Sequence, residues 1–350
     1  MAAMDLPTLD AIRAAHARIG PHTIVTPTMV WHEPSFAAAT GVDAPLLKLE
    51  FLQRTGSFKV RGALNNLLTL DDEARAAGVV AVSAGNHAIA VAYACEVAGV
   101  SAKVVMPRAA SPARIAKAER YGAEVVLAAD VIEAFALALR IGRDERRSFV
   151  HPFEGMTTVT GQATLGLELA EAAPDLDAVI VAVGGGGLIA GIGSALHALA
   201  PTCRVIGVEP TGAPGLTRSL ARGAPEEHVV VDTIADSMGS PRHEPITFAV
   251  CQQVVDEMVL VDDDDMRLGM AWAFEELKIA LEPAGAAVLA ALLGPLANRL
   301  HGRRVAAILC GSNIDHATYA RHLEGGLVRL AGTRAARAAP HRSGGGVSDR

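Results

Sequence analysis

The sequence is poor in aromatic residues, in cysteine and in surplus basic charge, and it has no long unbroken apolar run. Aromatics are 4% of its 350 residues, too few for the stacking platforms that hold nucleic-acid bases. The 38 acids outnumber the 31 bases. No basic stripe emerges, which argues against nucleic acid as a partner. The four cysteines, Cys95, Cys203, Cys251 and Cys310, lie far apart with no C-x-x-C pair. That excludes a clustered zinc site and a disulfide framework, and the first three read as small buried hydrophobes. The most apolar stretch, AVIVAVGGGGLIAGIG, is interrupted by glycines and falls short of the roughly 20 apolar residues a membrane helix needs. The first twenty residues carry acids early and form an amphipathic pattern rather than a basic segment followed by an apolar one. No signal peptide is expected, and the expected location is the cytoplasm.

What the sequence does hold is a series of short apolar runs alternating with longer helical patterns. Residues 79–83, 102–106, 124–128, 178–183, 204–209 and 304–310 read as buried strands. Strands of this kind separated by helices indicate β-α-β units and mainly parallel sheets, so the class is α/β. Charged segments near 71–77 and 142–152 suggest boundaries. They divide the chain into a large domain (1–72 and 150–330) and a smaller inserted α/β domain (73–149). The segment 331–350, rich in Gly, Ser, Arg and Ala without an apolar period, is expected to be a disordered tail. The acidic run at 262–265 is expected to cap the helix that follows, since carboxylates favour a helix N-terminus.

Four stretches carry chemistry. A strand runs into Gly184-Gly185-Gly186-Gly187 and then into a helix beginning near Leu188. Glycines let backbone amides converge without a Cβ in the way, and the helix N-terminus adds partial positive charge, so the turn suits a phosphate. No Gly-Lys-Ser/Thr follows, so it is not a P-loop. A second strand end, at Ser83, turns through Ala84 and Gly85 into a helix led by Asn86 and His87. Its amides suit a carboxylate, and simple N-capping by Asn86 is an equal reading of that stretch alone. A third strand opens at Cys310 into Gly311-Ser312-Asn313, at the strand end where open α/β sheets bind ligands. The fourth, TGSFKVRGALNN, sets Lys59 between Phe58 and Val60. Lysine is seldom buried unless paired. Beside a phosphate cradle, a lone lysine amine fits a phosphate-bearing aldehyde cofactor, pyridoxal phosphate (PLP).

The motifs TGSFKVRGA, SAGNHAIAVA, GQATLGLEL, VGGGGLIAGI, GVEP, EPAGAA and CGSNID occur in order over about residues 8–325. Together they resemble those of the serine/threonine dehydratases (ammonia-lyases), PLP enzymes of the tryptophan-synthase-β type, fold type II. The resemblance implies two open α/β domains and β-elimination of a β-hydroxy-α-amino acid, threonine or serine by default, to a 2-oxo acid and ammonia. It implies that Lys59 is the Schiff-base lysine, with Phe58 beside the cofactor ring and Asn86 on its 3′ oxygen. Gly184 to Gly187 and the Leu188 amide would hold the phosphate, and Glu282 would lie near the ring edge. Cys310, or Ser312 if the register is shifted, would face the pyridine nitrogen. Ser57, Ser83, Ala84, Gly85, Asn86 and His87 would surround the substrate carboxylate. Relatives are commonly dimers or tetramers, and a dimer is expected.

Two departures narrow that reading. The related serine racemases carry a hydroxyl directly after the serine of the second motif. Here the position is Ala84, which cannot transfer a proton, so little racemisation is expected. Those racemases also place a divalent-cation site after a GVEP-like segment. In GVEPTGAPG, Glu209 stands without a second carboxylate, Gly215 occupying its place, so no metal is expected. The segment 234–248 departs from the commoner dehydratase wording and is expected near the entrance to the site, which leaves a bulkier substrate such as phenylserine as an alternative. A racemase-like or β-replacing PLP enzyme is a further alternative. A nicotinamide oxidoreductase or a non-catalytic phosphate-binding module would use the glycines but not Lys59.

Overall fold

The computed structural model describes residues 4–338. Among them the strands are β1 (Thr28–Val30), β2 (Leu46–Lys48), β3 (Val79–Val82), β4 (Ala102–Pro107), β5 (Glu124–Ala128), β6 (Ser148–Val150), β7 (Ala178–Ala182), β8 (Arg204–Pro210), β9 (Glu257–Val261) and β10 (Val305–Ile308). The first helices are α1 (Leu9–Ile19), α2 (Pro34–Thr40), α3 (Lys59–Leu68), α4 (Asp72–Ala77), α5 (Asn86–Ala98), α6 (Pro112–Arg120) and α7 (Val131–Asp144). They are followed by α8 (Met156–Ala172), α9 (Gly187–Leu199), α10 (Gly215–Arg222), α11 (Pro245–Val254), α12 (Asp263–Leu277), α13 (Pro283–Leu293) and α14 (His316–Ala338).

The strands form two sheets. One has the order β1-β2-β10-β7-β8-β9 and the other β5-β4-β3-β6. All pairings are parallel except β1 with β2. The chain lays down β1 and β2, builds the whole four-stranded sheet, and then returns to the first sheet with β7. The middle strands β3, β7 and β10 are buried along their whole length, as expected where helices cover both faces of a parallel sheet. The six strands read from sequence are β3, β4, β5, β7, β8 and β10. The sequence reading missed β1, β2 and β6, which are three residues each and too short to show a period, and β9, whose burial is mixed.

Helix α3 joins the two cores. Its Val60, Ala63, Leu64 and Leu67 pack in one apolar cluster with β3, β4 and α5, while it also lies against α8. Lys59, its first residue, therefore sits at the junction of the two sheets. Asp262 and Asp265 make a reciprocal capping box on α12, with Asp265 N donating to Asp262 Oδ1 at 2.7 Å, as the acidic run suggested. The segment expected to be a disordered tail begins helical. Helix α14 continues through 331–338, and 339–350 lie outside the described residues. The difference has a local cause: Ala and Arg are strong helix formers, and Arg334 both pairs with Glu276 and sits 5.5 Å from the Trp272 ring. Among the described residues no helix is long and apolar enough to cross a membrane.

Candidate active site

Two connected cavities meet at Lys59. The inner one is lined by Phe58, Lys59, Asn86, Phe153, Gly184 to Gly187, Leu188, Ser237, Met238, Glu282 and Cys310, among others. The outer one is about 150 Å³ and is lined by Lys59, Val82, Ser83 to His87, Arg114, Val131, Phe135, Pro152, Phe153, Gly185 and residues between 236 and 241. Lys59, Asn86, Phe153, Gly185 and Ser237 border both.

The Lys59 amine donates to the Pro152 carbonyl at 2.6 Å and lies 5.1 Å from the centre of the Phe58 ring. The residue is half-buried because its stem borders the cavity, yet the surrounding protein strips water from the amine. Desolvation lowers its pKa to about 8 against the weaker opposing pull of Cys310 and Glu282. No carboxylate pairs with it among the described residues. The positive end of α3 lies under it and disfavours added charge further.

The glycine turn leads from β7 into α9, with Gly186 at φ +90° as the residue before the helix. A side chain at Gly185 would overlap the Phe153 ring, and one at Gly187 would lie 3.0 Å from the Phe153 carbonyl oxygen. These glycines are required by close packing as well as by any ligand. The helix start at Gly187, rather than near Leu188, leaves the amides at the head of α9 facing the inner cavity.

Asn86 is not an N-cap. It is the first residue of α5, with Gly85 in the cap position and no side-chain capping bond. Its Nδ2 donates to Glu282 Oε1 at 2.7 Å, and its Oδ1 accepts from Asn313 Nδ2 at 2.7 Å. Three segments distant in sequence thus meet at one amide. Glu282 is buried; its Oε1 also accepts from Ser237 Oγ at 3.3 Å, whereas its Oε2 has no hydrogen-bond partner. Burial raises the Glu282 pKa to about 7, opposed by Arg114, whose Nη2 is 3.8 Å away.

Cys310 lies two residues beyond β10 and lines the inner cavity. Burial pushes its thiol well above the usual range. Ser312, the other expectation for that place, lines neither cavity; its backbone N–H is tied to the Gly56 carbonyl at 3.0 Å. Ser57 is fully buried beside Gly311 with its Oγ unpartnered, and it too lines neither cavity. Ser83, Ala84, Gly85, Asn86 and His87 all border the outer one. His87 Nε2 bonds the Val150 carbonyl at 2.9 Å, and burial lowers its pKa to about 3, so its ring is neutral at working pH.

Sequence reasoning missed Arg114, Val131, Phe135 and Phe153. Arg114 pairs with Asp236 and donates from Nε to the Asn313 carbonyl at 2.8 Å. It links the four-stranded half of the site to the loop at 236–241. In sequence it is one basic residue on a charged helix, which carries no signal. The 234–248 segment does reach the outer cavity, through Asp236, Ser237, Gly239, Ser240 and Pro241. Glu209 is engaged elsewhere: its carboxylate accepts from the Leu216 and Thr217 amides at 2.7 and 2.8 Å at the head of α10.

A family profile described as pyridoxal-phosphate dependent enzyme matches residues 22–311. The chain belongs to that family. Among its relatives, a phenylserine dehydratase of Ralstonia pickettii is 51% identical over 318 residues, covering 91% of this chain and 97% of that protein. An L-threonine ammonia-lyase of Thermotoga maritima is 39% identical over 323 residues, covering 92% and 79%. The solved structure of maize serine racemase superposes with a TM-score of 0.83 at 34% identity, covering 91% of this chain and 99% of that one. The fold is accordingly fold type II of the PLP enzymes. The family's cofactor suits what this chain presents. A buried amine of lowered pKa opens on both cavities, the head of α9 offers amides that no Cβ obstructs, and the buried Glu282 Oε2 accepts no hydrogen bond.

Proposed function

We propose that this chain catalyses the PLP-dependent β-elimination of a β-hydroxy-α-amino acid to a 2-oxo acid and ammonia. The observation that carries the reading is the Lys59 amine, desolvated and unpaired, standing where the tetraglycine cavity opens into the outer cavity. When bound, PLP supplies an aldehyde that condenses with amines and a ring that withdraws electrons from the α-carbon. Gly184 to Gly187 and the Leu188 amide would hold its phosphate at the head of α9. Phe58, Asn86, Glu282 and the neutral Cys310 thiol, which line the same cavity, would hold its ring.

In the outer cavity the amides around Ser83 to His87 hold the substrate carboxylate. Lys59, neutral near pH 8, accepts the α-proton. The β-hydroxyl leaves as water, the proton it gains balancing the α-proton that Lys59 has taken up, and the released enamine tautomerises to an imine. Water then hydrolyses the imine, so the products are the 2-oxo acid and ammonia. With a neutral thiol at Cys310 in place of a carboxylate, the ring would be a weaker electron sink. Elimination tolerates this, because the leaving group departs as charge develops.

The relatives named for threonine and for phenylserine support the reaction class. The aryl substrate has an additional observation in its favour, the apolar wall of the outer cavity formed by Val82, Val131, Phe135 and Phe153. The test is a screen of β-hydroxy amino acids with the PLP-loaded enzyme, measuring 2-oxo acid and ammonia together. Equimolar release is expected, and Lys59→Ala is expected to abolish it. Full turnover by Lys59→Ala, or no release from any β-hydroxy amino acid, would overturn the proposal.

A further inference from the structure

We propose that Val131 and Phe135, on the first turns of α7, form a subsite that receives an aryl group on the substrate β-carbon. This rests on the dehydratase reading above and names the side of the cavity that sets its substrate preference. The outer cavity is divided by chemistry. Ser83, Asn86, His87 and the head of α5 make one side polar, Arg114 and Asp236 close another, and the α7 side is apolar. A substrate with its carboxylate at the head of α5 and its amine toward Lys59 has the apolar side left for its β-substituent.

Val131 and Phe135 are four residues apart on one helix and so share a face. Asp130 accepts from the Glu133 amide at 2.8 Å and fixes the start of that helix. The buried residues of α7 are Ala134 and Ala138. Val131 remains 44% exposed. Phe135 packs against the apolar cluster that contains Ala134 and Ala138 and also borders the cavity, so the core holds this part of the wall in place.

Behind Phe135 stands a further aromatic group. The Phe135 and His151 rings are 6.2 Å apart, and His151 meets Phe153 edge-to-face at 4.6 Å and 88°. His151 is kept neutral by burial, so this array presents ring faces and edges, not a cation. Aromatic pairs prefer such tilted and edge-to-face contacts. A hydroxymethyl or hydroxyethyl substituent would leave the α7 wall in contact with water.

The experiment compares the PLP-loaded wild type with Phe135→Ala, Phe135→Leu and Val131→Asn. Two readouts are taken: kcat/KM for phenylserine and for threonine, and calorimetric titration with phenylalanine and alanine, which lack the hydroxyl that leaves. Phe135→Ala is expected to lower the phenylserine-to-threonine ratio about tenfold to a hundredfold. It should weaken phenylalanine binding relative to alanine, with Phe135→Leu intermediate and Val131→Asn acting in the same direction. Equal effects on both substrates and on both amino acids would overturn the subsite. If the wild type released no 2-oxo acid at all, the dehydratase reading would fail by itself. The phenylalanine-to-alanine comparison would still decide the subsite.

Discussion

Two residues after Lys59, Arg61 is fully buried and belongs to a cluster whose disruption should be costly in a calculable way. Its Nε donates to Glu50 Oε1 at 2.5 Å and its Nη1 to Glu168 Oε1 at 2.7 Å. Lys48 completes the set, 2.7 Å from Glu168 Oε2, and Thr26 and Thr164 hydroxyls fill remaining positions. Two cations face two carboxylates, all four buried, so the group is neutral as a whole. Arg61→Met keeps apolar volume but leaves Glu50 without a cation. Removing one partner of a buried pair costs about 3–5 kcal/mol, a large part of a usual stability of about 5–15 kcal/mol. The assay is urea unfolding at fixed protein concentration, with near-equal slopes required for the comparison. The double variant Arg61→Met/Glu50→Leu removes one charge of each sign and leaves Lys48 with Glu168. It should recover more than half of the loss, because the cost is that of an uncompensated charge and not of lost packing. A single variant within about 1 kcal/mol of wild type, or a double variant no better than the single, would refute this account.

Three further outcomes follow from the site. Because desolvation holds the Lys59 pKa near 8 rather than 10.5, its nucleophilic neutral form grows as pH rises through about 8. The rate at which apo-protein captures PLP, followed by absorbance, should rise with that midpoint, and a midpoint near 10 would remove the argument from burial. Gly185→Ala would drive a methyl into the Phe153 ring, so PLP affinity measured by absorbance titration should fall at least about tenfold; unchanged affinity would mean that Phe153 yields freely. Ala84 borders the outer cavity without a transferable proton. Partial turnover of L-serine should therefore leave little D-serine by chiral chromatography, whereas Ala84→Ser should produce more. Abundant D-serine from the wild type would contradict the role given to that position.

How much of this was legible in sequence depended on distance along the chain. The six strands that could be read are each at least four residues long and apolar in sequence, although β5 is buried only at its last residue; β1, β2 and β6 are shorter than any periodic signal. The glycine turn could be read because its amides, its helix and its missing side chains all lie within a few residues. The meeting of Asn86, Glu282 and Asn313 could not be read from spacing, since Asn86 heads α5, Glu282 stands in the connection between α12 and α13, and Asn313 in that between β10 and α14. Arg114 and Phe135 escaped for the same reason: on their own helices they resemble a solvated charge and an ordinary apolar residue.

Lys48 and Lys59 show why residue type alone could not separate structure from chemistry. In sequence, Lys48 in LLKLE and Lys59 in SFKV look alike, each a cation between apolar neighbours. In the fold, Lys48 is held by a carboxylate, Glu168, and by the Thr26 carbonyl, which commits it to an ion pair. Among the described residues Lys59 hydrogen-bonds to the neutral carbonyl of Pro152 and to no carboxylate, in a place that disfavours charge, and so it can give up its proton near neutral pH. A partner more than ninety residues away decides which of the two can act as a nucleophile. Moving a carboxylate to within pairing distance of Lys59 would therefore turn the second lysine into a copy of the first, and the chemistry would be lost with the fold intact.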